Sequence, residues 1–305
     1  RIVPNRVLLS YVYTNRATVA ADDDEMVDAW RSYRRASALV PEEAKNAFNR
    51  DALLHNLALS YLEEGEPSRA MRLLFAAARL GEGGGLSHKL RRLLIHTYDR
   101  LAELALEDGD LEELERIFVS ANARLPHEPR VLELEASWIQ KAAMGMADEG
   151  QVEEAISLLL RHVKGSPARE IFLHNCAVLA VSEANRLSNN DSHGRGEALL
   201  ARTIQRLRGA QAHPETLAML QAGLGNMYFA MERYSEAAST WRAVLTAGWD
   251  PSGAIRRNLF AALMNQTVRA YNAGDCRGAN GFARQALDVD PSNAQALRIV
   301  ARCGL

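Results

Sequence analysis

Two distant stretches of this chain carry the same pattern. ALLHNLALSYLEEGEPSRAMRLLFAAARL at 52–80 aligns with LAMLQAGLGNMYFAMERYSEAASTWRAVL at 217–245. The first half of each sets a leucine, a small residue and a tyrosine: Leu57, Ala58, Tyr61 and Leu224, Gly225, Tyr228. The second half sets an alanine with a large residue four places on: Ala70 with Leu74, and Ala237 with Trp241. Self-similarity of this kind points to an array of units, each too small to bury its own apolar face. Apolar residues return in steps of three and four, as helices require, and sustained alternation is absent. Short turns such as EEGEPS, EDGD, DEGQ and NAGD separate the periodic segments. Glycine there can take the left-handed conformation that ends a helix, and the acid after it suits the next N-terminus. The pattern predicts an all-α chain of paired antiparallel helices.

The same spacing extends outward. Ala29, Tyr33, Ala36 and Pro41 fill the second-helix places of a first unit; Gly109, Phe118, Ala121 and Pro126 mark a third. Gly150, Ala155, Leu159 and Pro167 mark a fourth, and Gly274, Ala279, Ala286 and Pro291 a seventh. A fifth unit around 170–209 reads as degenerate, with a long polar loop SNNDSHGRGE. Unit starts near 10, 51, 95, 136, 170, 218 and 260 lie about 42 residues apart. This order of small and large residues resembles the tetratricopeptide repeat (TPR), a helix-turn-helix unit of 34 residues. The resemblance covers nearly the whole chain, with longer units. It implies one right-handed superhelical solenoid over 1–305, with units 5–41, 44–80, 87–126, 129–167, 168–210, 214–248 and 254–291. A final helix over 293–303 would cap the stack.

Counted from these starts, Asn56 and Asn175 fall at the sixth place of their first helices, as do Asn15 and Asn265. Asn226 lies three residues further on, one helical turn along the same face. In TPR arrays that face lines a concave groove, so the resemblance implies backbone reading of an extended peptide by these amides. The expected groove comprises Tyr11, Thr14, Asn15, His55, Asn56, His174, Asn175, Asn226, Phe229 and Asn265. Its charged middle holds Asp99, Arg100, Glu103, Gln140 and Lys141. Chaperone-type clamps place lysine and arginine where this chain has Ala222, Ala261, Gln295 and Ile299, so carboxylate clamping is not expected.

The function expected is a non-catalytic scaffold for a protein or peptide partner; the alternative is a regulatory or substrate-recruiting arm of a larger enzyme or envelope complex. From Asp99 to Glu154 fifteen acids face five bases, which suits a partner with a basic segment and opposes a nucleic-acid partner. From Arg195 to Arg302 thirteen arginines face eight acids. No G-x-S-x-G, Walker or G-x-G-x-x-G motif is present, and GEGGG at 81–85 reads as an inter-repeat turn. The eight histidines lack metal spacing and ADDDE at 21–25 lacks that of an EF-hand, so neither metal nor cofactor is expected. Asn190-Asp191-Ser192 fits a glycosylation sequon. No apolar run nears the length of a membrane span, and direct insertion is not expected. Oligomeric state stays open. Cys276 and Cys303 begin and end neighbouring helices: a reduced pair is the plainer expectation, while a disulfide would indicate an oxidising compartment. The cytoplasm fits the first, the periplasm or exterior the second.

Overall fold

The computed structural model describes residues 4–23, 25–41, 44–80, 86–250 and 252–304, with backbone only for 44–50, 79 and 80. These residues form helices α1 (Asn5–Asp22), α2 (Met26–Leu39), α3 (Ala44–Glu63), α4 (Pro67–Leu80) and α5 (His88–Glu107). Then follow α6 (Leu111–Arg124), α7 (Pro129–Asp148), α8 (Val152–Arg161), α9 (Arg169–Asn189) and α10 (His193–Gly209). The chain ends with α11 (Pro214–Ala230), α12 (Tyr234–Thr246), α13 (Ala254–Asn272), α14 (Cys276–Val289) and α15 (Ala294–Cys303). No strand occurs among the described residues, and the all-α expectation holds. The GEGGG stretch and Asp24 lie outside the described residues.

The chain divides into two compact units, Arg1–Trp138 and Ile139–Leu305. In the first, α1 packs on α2, α3 on α4 and α5 on α6, and α3 also touches α5. In the second, α9 packs on α10, α11 on α12 and α13 on α14, while α9 also touches α11. First helices meeting first helices one pair away is the packing of stacked hairpins.

The turn inside each pair is one repeated motif. Gly65, Gly109, Gly150, Asp191, Glu232 and Gly274 all adopt positive φ, between 54° and 85°, at intervals of 41 to 44 residues. The following backbone N–H reaches back five places: Glu66 to Tyr61 O (2.7 Å), Asp110 to Ala105 O (2.8 Å) and Gln151 to Met146 O (2.9 Å). Ser192 to Leu187 O (2.8 Å), Arg233 to Tyr228 O (2.9 Å) and Asp275 to Ala270 O (3.0 Å) repeat it, and Glu25 to Ala20 O (2.7 Å) extends it to the first pair. These are Schellman closures, which satisfy carbonyls that a helix end leaves bare. Asp110 and Asp275 then cap the next helix, accepting from Glu113 N and Gly278 N at 2.8 Å.

Measured from that closing residue, the core is regular. Eight places before it stand Ala17, Ala58, Ala102, Ala143, Ala184, Gly225 and Thr267, all buried. Four places after it stand Ala29, Ala70, Leu114, Ala155, Gly196, Ala237 and Ala279, also buried. Small residues at both places, Leu114 excepted, let the two helices of a pair close together, and Tyr33, Leu74, Phe118, Leu159, Leu200 and Trp241 fill the space beside them.

This common origin corrects the reading of the fifth unit. It is not degenerate, and SNNDSHGRGE is not a long loop: only 190–192 lie between α9 and α10. Asp191 occupies the left-handed place that glycine holds in four other turns, which its short polar side chain tolerates. Gly196 takes the small-residue place, where a β-carbon would lie 3.3 Å from Ala184 O. The unit therefore starts at 177, not 170.

The second correction concerns the cysteines. Cys276 and Cys303 form a disulfide with Cα atoms 5.0 Å apart, tying the last turn of α15 to the start of α14. Cys176 is free and buried, its thiol directed at Ile156 O (3.8 Å) and its pKa pushed up to about 12 by burial.

Candidate partner-binding face

Every residue singled out from the sequence lies on the first helix of a pair. Ten places before the closing residue stand Asn15, Asn56, Arg100, Lys141, Ser182, Gly223 and Asn265. Asn15, Asn56 and Lys141 are exposed, Arg100 and Asn265 are half-buried, and Gly223 is buried. Arg100 pairs with Glu103 along its own helix. Asn56 Oδ1 lies 3.4 Å from His55 Nδ1. Burial of the His55 ring, opposed by that contact and reinforced by the nearby Lys89 charge, holds its pKa below the ordinary value.

Asn175 does not share this place. It precedes its closing residue, Ser192, by seventeen positions, so it sits seven residues earlier than Asn56 or Asn265 do in their helices. Seven residues is about two helical turns, and the side chain leaves the helix in nearly the same direction but nearer its start. The match of LLHN at 53–56 with FLHN at 172–175 is therefore a likeness of letters, not of position. His174 is exposed. Asn175 is half-buried, and its Nδ2 is enclosed without a hydrogen-bond acceptor.

Neighbouring residues are drawn into structural work. Asp99 accepts from Trp138 Nε1 at 2.9 Å. Phe229 stands edge-on to Tyr234, with centroids 5.2 Å apart, and tilts against Trp241 at 5.8 Å, so its ring belongs to the core edge. Asn226, one turn beyond Gly223, accepts from Asn258 Nδ2 at 3.4 Å. That pair couples α11 to α13, and of its two members only Asn226 was singled out in sequence.

Two clefts open in the second unit, and neither is lined by a residue chosen from the sequence. One, of about 560 Å³, lies among Glu153, Glu154, Glu183, Leu187, Arg195 and Arg202. Its charges are largely matched: Arg202 bonds Glu153 Oε1 at 2.6 Å, and Arg186 grips Glu183 at 2.7 Å, lowering that carboxyl's pKa. The other, of about 520 Å³, is lined by Leu160, Val163, Lys164, Arg169, Arg206, Gly209 and Ala210. Among the described residues no group of three His, Cys, Asp or Glu side chains could hold a metal ion, and no helix is long and apolar enough to cross a membrane.

No family model and no curated protein matches this chain. Among solved structures it is similar to the C-terminal part of a TPR repeat-containing protein from Cytophaga hutchinsonii, at 9% identity over 94% of this chain and 98% of that one, with a TM-score of 0.31. It is similar to the apo form of RapI at 14% identity over 97% and 80%, with a TM-score of 0.33. The TPR2AB domain of yeast Sti1, solved in a complex with pHSP90, aligns at 14% identity over 83% and 98%, with a TM-score of 0.27. At these scores the fold assignment stands on the chain's own helix pairs.

Proposed function

We propose that this chain is a non-catalytic interaction scaffold that binds an extended polypeptide segment against the first helices of its pairs. The observation that supports it is the recurrence of Asn15, Asn56 and Asn265 at one place, ten residues before the closing residue of the turn. None of the three is in the core. An amide side chain offers one acceptor and two donors, the complement of a peptide backbone, without selecting the side chains of the ligand. Asn15 and Asn56 serve the first unit, and Asn265 serves the second. The excess of acids over 99–154 favours basic residues on the bound segment. The seven pairs and α15 are then successive units of one repeating design.

The test compares partners captured by the wild type, by Asn15→Ala/Asn56→Ala/Asn265→Ala and by Asn175→Ala. Loss of partners from the triple variant alone supports the reading. A triple variant that keeps every partner at equal strength would sink it.

A further inference from the structure

We infer that the cleft between the α8–α9 connection and the end of α10 is a second binding site, for an acidic peptide segment. Lys164 and Val163 come from the connection, Arg169 from the first turn of α9, Leu160 from α8, and Arg206, Gly209 and Ala210 from the end of α10. Three cations converge there, and no carboxylate lines the cleft.

The hydrogen bonds sort these cations into two roles. Arg169 donates to Ala210 O and to Gln211 O (3.1 Å), and also pairs with Glu170. The carbonyl end of a helix carries partial negative charge that repels an anion. Arg169 covers that end of α10, so the mouth of the cleft stays hospitable to a carboxylate. Arg206 donates to a neutral acceptor, Ser157 Oγ, at 3.1 Å. Lys164 is exposed and forms no ion pair among the described residues. Arg206 and Lys164 therefore keep their charge for a ligand, in contrast to Arg202 one helical turn away, whose charge Glu153 meets.

The remaining lining is apolar. Leu160 and Val163 form a floor beside the two free cations. A volume of about 520 Å³ is in the range of sites that enclose several side chains or a small molecule. The arrangement fits a segment in which glutamate or aspartate alternates with an aliphatic residue: the carboxylate between Lys164 and Arg206, the aliphatic side chain on Leu160 and Val163. This site uses the α8–α9 connection, the first turn of α9 and the ends of α8 and α10, and none of the residues at the asparagine place, so the two readings stand or fall separately.

A capped peptide of glutamate and leucine serves as the probe, with its glutamine counterpart and inorganic phosphate as comparisons. Binding is followed by calorimetry at low salt and by backbone amide shifts. The glutamate peptide should shift amides of 160–164 and 206–210. Its affinity should fall about tenfold or more in Lys164→Glu/Arg206→Glu, and less than about twofold in Arg284→Glu, an exposed charge reversal elsewhere. Lys164→Met/Arg206→Met gives the same answer should the reversal disturb folding. Equal binding by the double variants overturns the proposal, as does equal binding of the glutamine peptide. Phosphate shifting those amides when the glutamate peptide does not also overturns it.

Discussion

Trp241 closes directly over Gly225: a β-carbon on that glycine would lie 2.4 Å from the indole Nε1, which itself donates to Ala222 O at 3.2 Å. The largest side chain in the core thus rests on the one first helix that offers no β-carbon at this place. Gly225→Ala gains about 1 kcal/mol of helix propensity but must push the buried indole aside. Overpacking of this kind costs about 1–3 kcal/mol and here also strains the indole hydrogen bond. We expect net destabilisation of about 1–2 kcal/mol by urea unfolding. Trp241→Leu in the same background should recover part of the loss, since Leu200 and Leu74 fill that place elsewhere. Additive losses in the double variant would contradict the contact.

The Cys276–Cys303 bond closes a segment with a sequence separation of 27, and beyond the burial of Ala296 and Ile299 α15 is held by few hydrogen bonds: Asn280 Nδ2 donates to Cys303 O at 3.5 Å and Arg302 to Tyr271 Oη at 3.3 Å. Cys276→Ser/Cys303→Ser should lower stability by about 3 kcal/mol or less, with the loss concentrated in α15. Hydrogen exchange would show amides of 294–303 losing protection before those of α13. Thiol titration gives a separate check. The unreduced native protein should react at no thiol, since Cys176 is buried and its pKa is raised to about 12, and at one after unfolding. Three reactive thiols in the unfolded, unreduced protein would remove the bond.

His55 carries a pH dependence with a definite sign. Burial first, then the Lys89 charge, lower its pKa below that of the unfolded chain, and the Asn56 contact only partly offsets them. Above the unfolded value both states are neutral and the group is silent. As pH falls through the ordinary histidine range toward the lowered value, the unfolded state takes the proton first and stability drops. His55→Gln should flatten the stability profile between neutral and mildly acidic pH, measured by urea unfolding at a series of pH values. An unchanged slope would place the loss elsewhere.

The paired-helix design was legible because close approach of two helices demands small residues at fixed distances from the turn, and Ala58 with Ala70, or Gly225 with Ala237, write that demand into the sequence. Unit five escaped because Asp191, not glycine, takes the left-handed turn position, and Glu183, Ala184 and Leu187 lack the leucine–small–tyrosine pattern that marks unit six before its own non-glycine, Glu232. The polar end of α9 and polar start of α10 then passed for a loop, and the origin slipped by seven residues. The cysteine pairing depends on the rotation of α15 against α14, which periodicity does not specify. The cationic cleft was invisible for a similar reason: Lys164, Arg169 and Arg206 meet only once three chain segments are packed, while along the sequence each is one charge among many.

The corrected origin makes a prediction about Asn175 itself. Seventeen places before the closing residue, three of the four units that precede it carry leucine, Leu8, Leu93 and Leu134, and the second carries Asn49; Leu8 is exposed, while Leu93 is buried at 6% exposure. Asn175 stands in the same place with its Nδ2 enclosed and unpaired. Enclosing an amide without a partner costs about 1–3 kcal/mol, and replacing it with an apolar side chain that fits removes that penalty. Asn175→Leu should therefore stabilise the protein by about 1 kcal/mol, read as a higher urea midpoint with an unchanged slope. Asn56→Leu changes an exposed residue and should shift the midpoint little. If Asn175→Leu lowers the midpoint, the amide has a role in the fold that this packing does not reveal; if it also releases captured partners, Asn175 belongs with Asn15, Asn56 and Asn265 after all.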